Sequence, residues 1–191
     1  MEINNKNLIN PQFANHGYIQ VYTGDGKGKT TASLGLTMRA LGRGWNVLIV
    51  MFTKGGDDYG ELYSFTNLNN VLTNNLKIVQ AGVDRIVYSH NVSEEDTKTI
   101  KQGWEIAKKG ITSNEYQLIV MDEANIALDL ELIDLNEMIE VLQNKPQNVE
   151  IVLTGRNARP EIIEIAHLVS EIKPIKHYWD LGIQARKGIE F

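Results

Sequence analysis

The segment GDGKGKTT, residues 24–31, combines the residue types of a phosphate-binding loop. Glycines let the backbone turn tightly enough for its N–H groups to converge on phosphate oxygens, and an adjacent lysine adds positive charge. The apolar stretch GYIQVYT precedes the loop and a segment with helical spacing follows it, whereas a simple glycine- and lysine-rich surface turn would need neither. The residues predicted to bind nucleotide are Gly24, Asp25, Gly26, Lys27, Gly28, Lys29, Thr30 and Thr31.

The order of residues within this loop predicts their roles. Lys29 is expected to place its charge on the phosphates, the Thr30 hydroxyl to face Mg²⁺, and Thr31 to donate to a neighbouring phosphate. The loop is one residue shorter than usual, because three residues instead of four separate Gly24 from Gly28. A shorter loop need not aim the terminal phosphoryl group at an acceptor. Kinase or ATPase chemistry therefore does not follow from the loop alone.

Two other apolar stretches end in charged residues. LIVMDEA ends in Asp122 and Glu123, and VEIVLTGR ends in Arg156. If both are strands of a parallel sheet, these residues lie at the edge where such sheets bind ligands. Asp122 is then a predicted Mg²⁺ ligand beside Thr30, Glu123 can reach substrate or metal, and Arg156 can bind phosphate or Glu123. A helix cap for the acids and a surface salt bridge for the arginine are the alternatives.

Strand-length apolar runs alternate with helix-length segments along the chain. The runs are GYIQVYT, WNVLIVMFT, LKIVQAG, YQLIVMDEA, VEIVLTG and LVSEIKPIK. This alternation predicts a predominantly parallel sheet covered by helices on both faces. Together with the phosphate loop it gives the expected fold class, α/β of the P-loop NTPase-like (RecA-like) type. We expect one such domain over residues 17–191, after a flexible N-terminal arm over residues 1–16.

Capping and spacing predict four helices and one loop. The helices run from Lys29 to Gly42 or Gly44, from Ser93 to about Lys109, through Leu132, Leu135, Met138, Ile139 and Leu142, and onward from about Pro160. The asparagine-rich stretch 67–77 is expected to be a polar loop.

Composition excludes several classes of protein. The 191 residues include no cysteine, so disulfides, thiolate nucleophiles and cysteine-ligated metal sites are ruled out. A net charge of −5 argues against a general nucleic-acid binder, which is normally basic. No apolar run approaches the ~20 residues of a membrane helix. We expect a cytoplasmic protein without nucleic-acid or membrane partners, and the four histidines show no metal-ligand spacing.

Together these motifs resemble the P-loop ATP:corrinoid adenosyltransferases, also called cob(I)yrinic acid a,c-diamide or cob(I)alamin adenosyltransferases. The similar segments are QVYTGDGKGKTTASLGLTMRALGRG, the Lys54-Gly55 pair, VMDEA, VLTGR and VSEIKPIKHYWDLGIQARKGIEF, in the family's order. The short loop is also a family trait. The resemblance implies that Co(I) of a corrinoid attacks C5′ of ATP, so that the 5′-deoxyadenosyl group is transferred and triphosphate leaves, in adenosylcobalamin biosynthesis or salvage.

The resemblance also implies roles and partners. The implied site comprises Lys29, Glu123 and Arg156 for catalysis, Thr30 and Asp122 for Mg²⁺, and Lys54 and Gly55 at the corrinoid pocket. ATP and a reduced corrinoid are the implied substrates, with a flavoprotein as electron donor and a homodimer as the assembly. Two other functions stay open: a P-loop small-molecule kinase or RecA-like ATPase, and a non-catalytic nucleotide- or corrinoid-binding module.

The segment expected to face the corrinoid departs from the family. It reads QAGVDRIVYSHN, so that Val83, Asp84 and Arg85 follow Gly82 where many relatives have aromatic residues. The candidate apolar walls are Tyr59, Tyr63, Phe65 and Tyr88. The N-terminal arm, which includes Phe13, is a candidate lid.

Overall fold

The computed structural model describes residues 16–71, 75–85 and 87–191, which form six strands and six helices. The strands are β1 (Ile19–Thr23), β2 (Val47–Phe52), β3 (Leu76–Ala81), β4 (Leu118–Asp122), β5 (Glu150–Thr154) and β6 (Leu168–Glu171). The helices are α1 (Lys29–Leu41), α2 (Gly60–Val71), α3 (Glu94–Ser113), α4 (Ala124–Asp129), α5 (Leu135–Gln143) and α6 (Pro160–Ile165), with a 3₁₀ turn at Tyr178–Leu181. Every run predicted to be a strand forms one.

All paired strands are parallel, and their order in the sheet is β3-β2-β4-β5-β1-β6. Strand β5 therefore separates β1, which leads into the phosphate loop, from β4, which ends in the acidic pair. Because the strands are parallel, the loops that follow them meet at one edge of the sheet. The predicted P-loop NTPase-like α/β fold is confirmed.

Helices cover both faces of the sheet. Ala40 and Leu41 of α1 join Phe65 of α2 in one buried cluster, and Ile100 of α3 joins Ile162 of α6 in the other. All six residues of β2 are buried, which is why this strand reads as a continuous apolar run. None of the described helices is long and apolar enough to cross a membrane.

Helix α3 begins where the sequence predicts and ends later. Ser93 caps it: its hydroxyl accepts from the Asp96 N–H, and the Asp96 carboxylate accepts from the Ser93 N–H. The predicted end near Lys109 is wrong, because Gly110 lies inside the helix. A Cβ at Gly110 would lie 2.4 Å from Leu48, so this glycine permits close packing on β2. The helix ends before Asn114, which has a φ of 59°.

Three other expectations need correction or lie outside the described residues. Residues 67–71 continue α2 instead of forming a polar loop, and the buried Phe65 anchors this helix to the core. Helix α5 begins after Asp134, whose carboxylate accepts from the Glu137 N–H, so Leu132 precedes it. The short helix α4 was not predicted. Residues 1–15 of the expected arm, Phe13 among them, lie outside the described residues.

Candidate active site

The phosphate loop connects β1 to α1 and is braced by the segment after β6. Gly24 and Gly28 have φ values of 92° and 123°, which a residue with a side chain adopts only at a cost. The Gly26 N–H donates to the Ile172 carbonyl at 2.7 Å, and a Cβ at Gly26 would lie at the same distance from that oxygen. Among the described residues no side chain caps α1, so the N–H groups of its first turn stay available to an anion.

Lys29 reaches back into the loop from the start of α1. Its Nζ donates to the carbonyl oxygens of Gly24 and Gly26 at 2.5 and 2.8 Å. The side chain is buried, and this burial lowers the pKa of the ammonium group, although the Glu123 carboxylate acts in the opposite direction. The structure thus places the predicted phosphate-binding charge at the centre of the loop.

Three oxygen-bearing side chains meet between the loop and β4. The Thr30 hydroxyl donates to Asp122 Oδ1 at 2.9 Å and to Oδ2 at 3.2 Å. The Thr154 hydroxyl, at the end of the intervening strand β5, donates to Oδ1 at 2.6 Å. Thr154 also accepts from the Glu123 N–H at 3.0 Å. The two residues predicted to hold Mg²⁺ are therefore adjacent, and Thr154 fixes the orientation of the carboxylate.

Lys54 contacts both of these oxygen groups from the end of β2. Its Nζ is 2.6 Å from Asp122 Oδ2 and 3.2 Å from the Thr30 hydroxyl oxygen. Burial by itself lowers the pKa of Lys54, but the Asp122 carboxylate outweighs it and raises that pKa above its ordinary value. Gly55, predicted beside Lys54 at the corrinoid pocket, is buried against Val83, where a Cβ would lie 2.6 Å from the Val83 carbonyl carbon.

Glu123 and Arg156 lie at the same edge but are not paired with each other. Burial, reinforced by the Asp122 charge, raises the pKa of the Glu123 carboxyl. Arg156 Nε is 3.5 Å from Asp25 Oδ1, in a contact that is exposed on both sides. Asp25 therefore faces Arg156, while Lys27 donates to the Glu190 carboxylate at 2.7 Å.

A cavity of about 880 Å³ opens above this edge of the sheet. Its lining includes the loop from Asp25 to Thr31 together with Lys54, Glu123 and Arg156. Of the four aromatic candidates, Tyr59 and Tyr88 line the cavity. Phe65 is part of the core, and Tyr63 is exposed outside the lining.

Sequence reasoning missed several residues of this site. Thr154 could have been found from the sequence, because a hydroxyl residue at the end of the predicted strand VEIVLT lies at the ligand-binding edge of the sheet. Thr53 and Asn157 were not predicted; like the predicted Glu123, they follow strands in the left-handed conformation, with φ between 55° and 58°. Such backbone strain in residues with side chains is concentrated at functional sites, and it has no signature in sequence. The C-terminal residues Ile189 and Glu190 also line the cavity.

Residues 15–191 match the family described as ATP:corrinoid adenosyltransferase BtuR/CobO/CobP. The chain belongs to this family. It is 32% identical over 175 residues to the corrinoid adenosyltransferase of Escherichia coli K12, which covers 92% of this chain and 86% of that protein. It is 33% identical to the corrinoid adenosyltransferase CobA of Salmonella typhimurium, with the same coverage. The predicted family is confirmed, and with it the enzyme class.

A further relative is longer. The chain is 37% identical over 180 residues to the uncharacterized protein all2391 of Nostoc. The match covers 91% of this chain and 48% of the Nostoc protein, so the chain spans about half the length of that relative.

Proposed function

We propose that this chain transfers the 5′-deoxyadenosyl group of ATP to the cobalt of a reduced corrinoid. Co(I) donates an electron pair to C5′, the C5′–O bond breaks, and its electrons leave with triphosphate, so that cobalt is formally oxidised to Co(III). The observation that carries this proposal is the family match over residues 15–191. The product serves adenosylcobalamin biosynthesis or salvage.

The phosphate loop and Lys29 stabilise the leaving group in this proposal. Negative charge develops on the triphosphate as the C5′–O bond breaks, and prearranged N–H groups and an ammonium ion stabilise such charge most effectively in a water-poor site. Lys29 is buried within the loop, and the first turn of α1 points its N–H groups the same way. No protein nucleophile or general base is needed for this reaction.

The oxygens of Thr30 and Asp122 fit a hard divalent cation. Adjacent ligands of an octahedral ion with bonds of about 2.1 Å lie about 3 Å apart. The Thr30 oxygen is 2.9 Å from Asp122 Oδ1 and 3.2 Å from Oδ2. We therefore assign these two residues to Mg²⁺, which when bound adds positive charge beside the triphosphate.

Glu123 and Arg156 are proposed to act at the cavity around these groups. Glu123 lies beside Asp122 and near Lys29, where its carboxylate can orient the ammonium ion or the nucleotide. Arg156 is exposed and, within the part of the chain that the structure describes, forms an ion pair with the exposed Asp25, so its guanidinium can turn to the triphosphate. On the open side, Tyr59 and Tyr88 provide apolar surface for the larger substrate.

A homodimer, a flavoprotein electron donor and a cytoplasmic location complete the proposal. The C-terminal segment exposes Trp179 to 75%, Leu181 to 74% and Ile175 to 99% of their maximal areas. Several large apolar side chains exposed along one segment favour an interaction surface there. Sedimentation of the purified chain tests the dimer, and reduction of the corrinoid with a flavoprotein in place of a chemical reductant tests the donor.

The activity is tested by anaerobic incubation with cob(I)alamin, ATP and Mg²⁺, following the corrinoid spectrum. We expect adenosylated corrinoid in the presence of the wild-type chain. The adenosylation rate of Lys101→Ala, a substitution on the exposed surface of α3, should equal that of wild type. The rate of Asp122→Asn should be lower. ATP binding without any adenosylation would instead favour a non-catalytic module.

A further inference from the structure

The ammonium group of Lys54 contacts the same oxygen atoms that the proposed function assigns as metal ligands. It contacts Asp122 Oδ2 at 2.6 Å and the Thr30 hydroxyl oxygen at 3.2 Å. The exposed fractions of the two charged side chains are only 16% for Lys54 and 1% for Asp122. This is a largely desolvated ion pair, which differs from a surface salt bridge. The site thus contains a cation supplied by the chain itself.

The remaining hydrogen-bonding positions of Asp122 are used by hydroxyl groups. Thr30 and Thr154 both donate to Oδ1, at 2.9 and 2.6 Å. A carboxylate offers about four lone-pair positions, and on Oδ2 the Lys54 ammonium, at 2.6 Å, makes a shorter contact than the Thr30 hydroxyl at 3.2 Å. A metal ion that coordinates Asp122 through Oδ2 therefore displaces the Lys54 ammonium. A second cation on the same buried carboxylate would also be repelled by Lys54.

The backbone of Lys54 is fixed, so the side chain is the part that can respond. The preceding Thr53 donates its N–H to the Ala81 carbonyl at 3.2 Å. On the other side, Gly82 packs so closely that a Cβ there would lie 2.3 Å from the Lys54 nitrogen. The ring of Tyr59, with its centroid 5.6 Å from Nζ, offers the ammonium a second resting place at the cavity.

We propose that Lys54 is the resident counter-ion of the metal site, neutralising Asp122 until a divalent cation enters and displaces the ammonium towards Tyr59. Lys54 is then a positioning residue that competes with the metal and sets its affinity. The inference rests on the proposed function only through the assignment of Thr30 and Asp122 as metal oxygens. It does not depend on the corrinoid or on adenosyl transfer.

Mn²⁺ titration of the full chain, with free Mn²⁺ followed by electron paramagnetic resonance, tests this competition. Lys54→Met should bind Mn²⁺ at least tenfold more tightly than wild type, because the competing charge is gone. Lys54→Arg keeps the charge and should stay within threefold of wild type. Lys101→Met makes the same chemical change at an exposed position and should bind as wild type does. Equal or weaker Mn²⁺ binding by Lys54→Met would overturn the proposal.

Thermal unfolding gives a second readout that needs no activity. In EDTA, Lys54→Met should melt below wild type, since Asp122 loses its counter-ion, and Mn²⁺ should close the gap. An unchanged melting temperature in EDTA would contradict the counter-ion role. If Lys54→Met does not fold, Lys54→Gln, which keeps a donor for Asp122 without the charge, serves in both measurements.

Asp122→Asn separates the failure of this inference from a failure of the metal assignment. It should abolish Mn²⁺ binding in the wild-type and Lys54→Met backgrounds alike. Mn²⁺ binding that persists in Asp122→Asn would show that Asp122 is not a metal ligand, independently of the result for Lys54. Adenosyl transfer, measured separately, would still test the proposed reaction.

Discussion

The cavity has two sides that are built in different ways. On the phosphate side, Lys29 and Lys54 are largely buried, and each has hydrogen-bond acceptors within 3.2 Å. The opposite side, here called the outer wall, consists of residues 82–85 and 87–93. It exposes Tyr88 and His90, whose rings stack with centroids 5.5 Å apart. The comparison teaches that the proposed triphosphate side is held by buried polar contacts, whereas the side proposed to face the corrinoid presents exposed side chains.

A single buried carboxylate anchors the outer wall. Asp96, the third residue of α3, accepts hydrogen bonds from Arg85 and from the Ser93 hydroxyl and N–H. Burial alone raises the pKa of Asp96, but the bonds from Ser93 and the charge of Arg85 outweigh it and lower that pKa. The ionised Asp96 thus ties Arg85 and Ser93 of this wall to the start of α3.

Loss of Lys29, on the phosphate side, should produce the largest effect on the adenosylation rate. Lys29→Ala removes a charge-assisted contact worth ~1.5–3 kcal/mol, so the adenosylation rate should fall more than tenfold. Lys101→Ala is the matched control. Steady-state kinetics with varied ATP measure the effect, and wild-type kinetics in Lys29→Ala would contradict the assigned role.

Loss of the Asp96 charge should loosen the outer wall alone. Asp96→Asn should lower the free energy of unfolding by about 2 kcal/mol, because bonds to a charged group are lost. It should raise KM for the corrinoid and leave KM for ATP unchanged. Equal changes in the two KM values would show that the two sides are not independent.

The same variant makes a prediction about pH. A carboxyl whose pKa is lowered on folding contributes stability above its unfolded pKa of about 4 and loses it as pH falls through the folded value. The stability difference between wild type and Asp96→Asn should therefore be full at pH 7 and shrink below about pH 4. Urea unfolding at several pH values measures it. A difference that stays constant to pH 2 would exclude the ionised pair as its source.

Glu123 should have a smaller effect on rate than Lys29. Glu123→Gln keeps the shape and removes the charge, so we expect a loss of three- to tenfold, about 0.7–1.4 kcal/mol, with the melting temperature preserved. Because the pKa of Glu123 is raised, wild-type activity should decline on mild acidification as this carboxyl becomes protonated. The profile of Glu123→Gln should lack that decline. A fully active variant with the wild-type profile would remove Glu123 from the site.

The smallest effect is expected within α1, which supports the phosphate side. Gly35 lies in the helix with open space around it, so Gly35→Ala should stabilise the protein by about 0.5–1 kcal/mol without changing the rate. Gly28→Ala meets equally open space, but its φ of 123° makes the substitution strained. In thermal unfolding, Gly35→Ala should raise the melting temperature and Gly28→Ala should lower it. Destabilisation by Gly35→Ala as well would indicate that α1 does not tolerate an added side chain at this position.

The phosphate side was predictable because its signal is local. Glycines, Lys29 and Thr30 stand within seven positions of one another, and the apolar run before Asp122 marks a strand by itself. The contact of Lys54 with Asp122 was not predictable, since it joins residues 68 positions apart through the pairing of β2 with β4. The contact of Lys27 with Glu190 spans 163 positions.

The predicted ends of helices were wrong where tertiary packing outweighed the local preference of the sequence. Gly110 reads as a helix terminator, yet contact with Leu48 keeps it inside α3. The asparagines after position 66 read as a loop, yet α2 continues because Phe65 anchors it in the core. The outer wall was located only by resemblance, through the segment after Gly82, and the contact of Arg85 with Asp96 became visible only with the packing of α3.

The phosphate-containing product tests the central claim most directly. Phosphorus NMR of an anaerobic reaction with cob(I)alamin, ATP and Mg²⁺ distinguishes triphosphate from ADP and free phosphate. Attack at C5′ predicts one intact triphosphate for each adenosylated corrinoid formed. ADP or free phosphate without adenosylated corrinoid would contradict the account and indicate a kinase or ATPase.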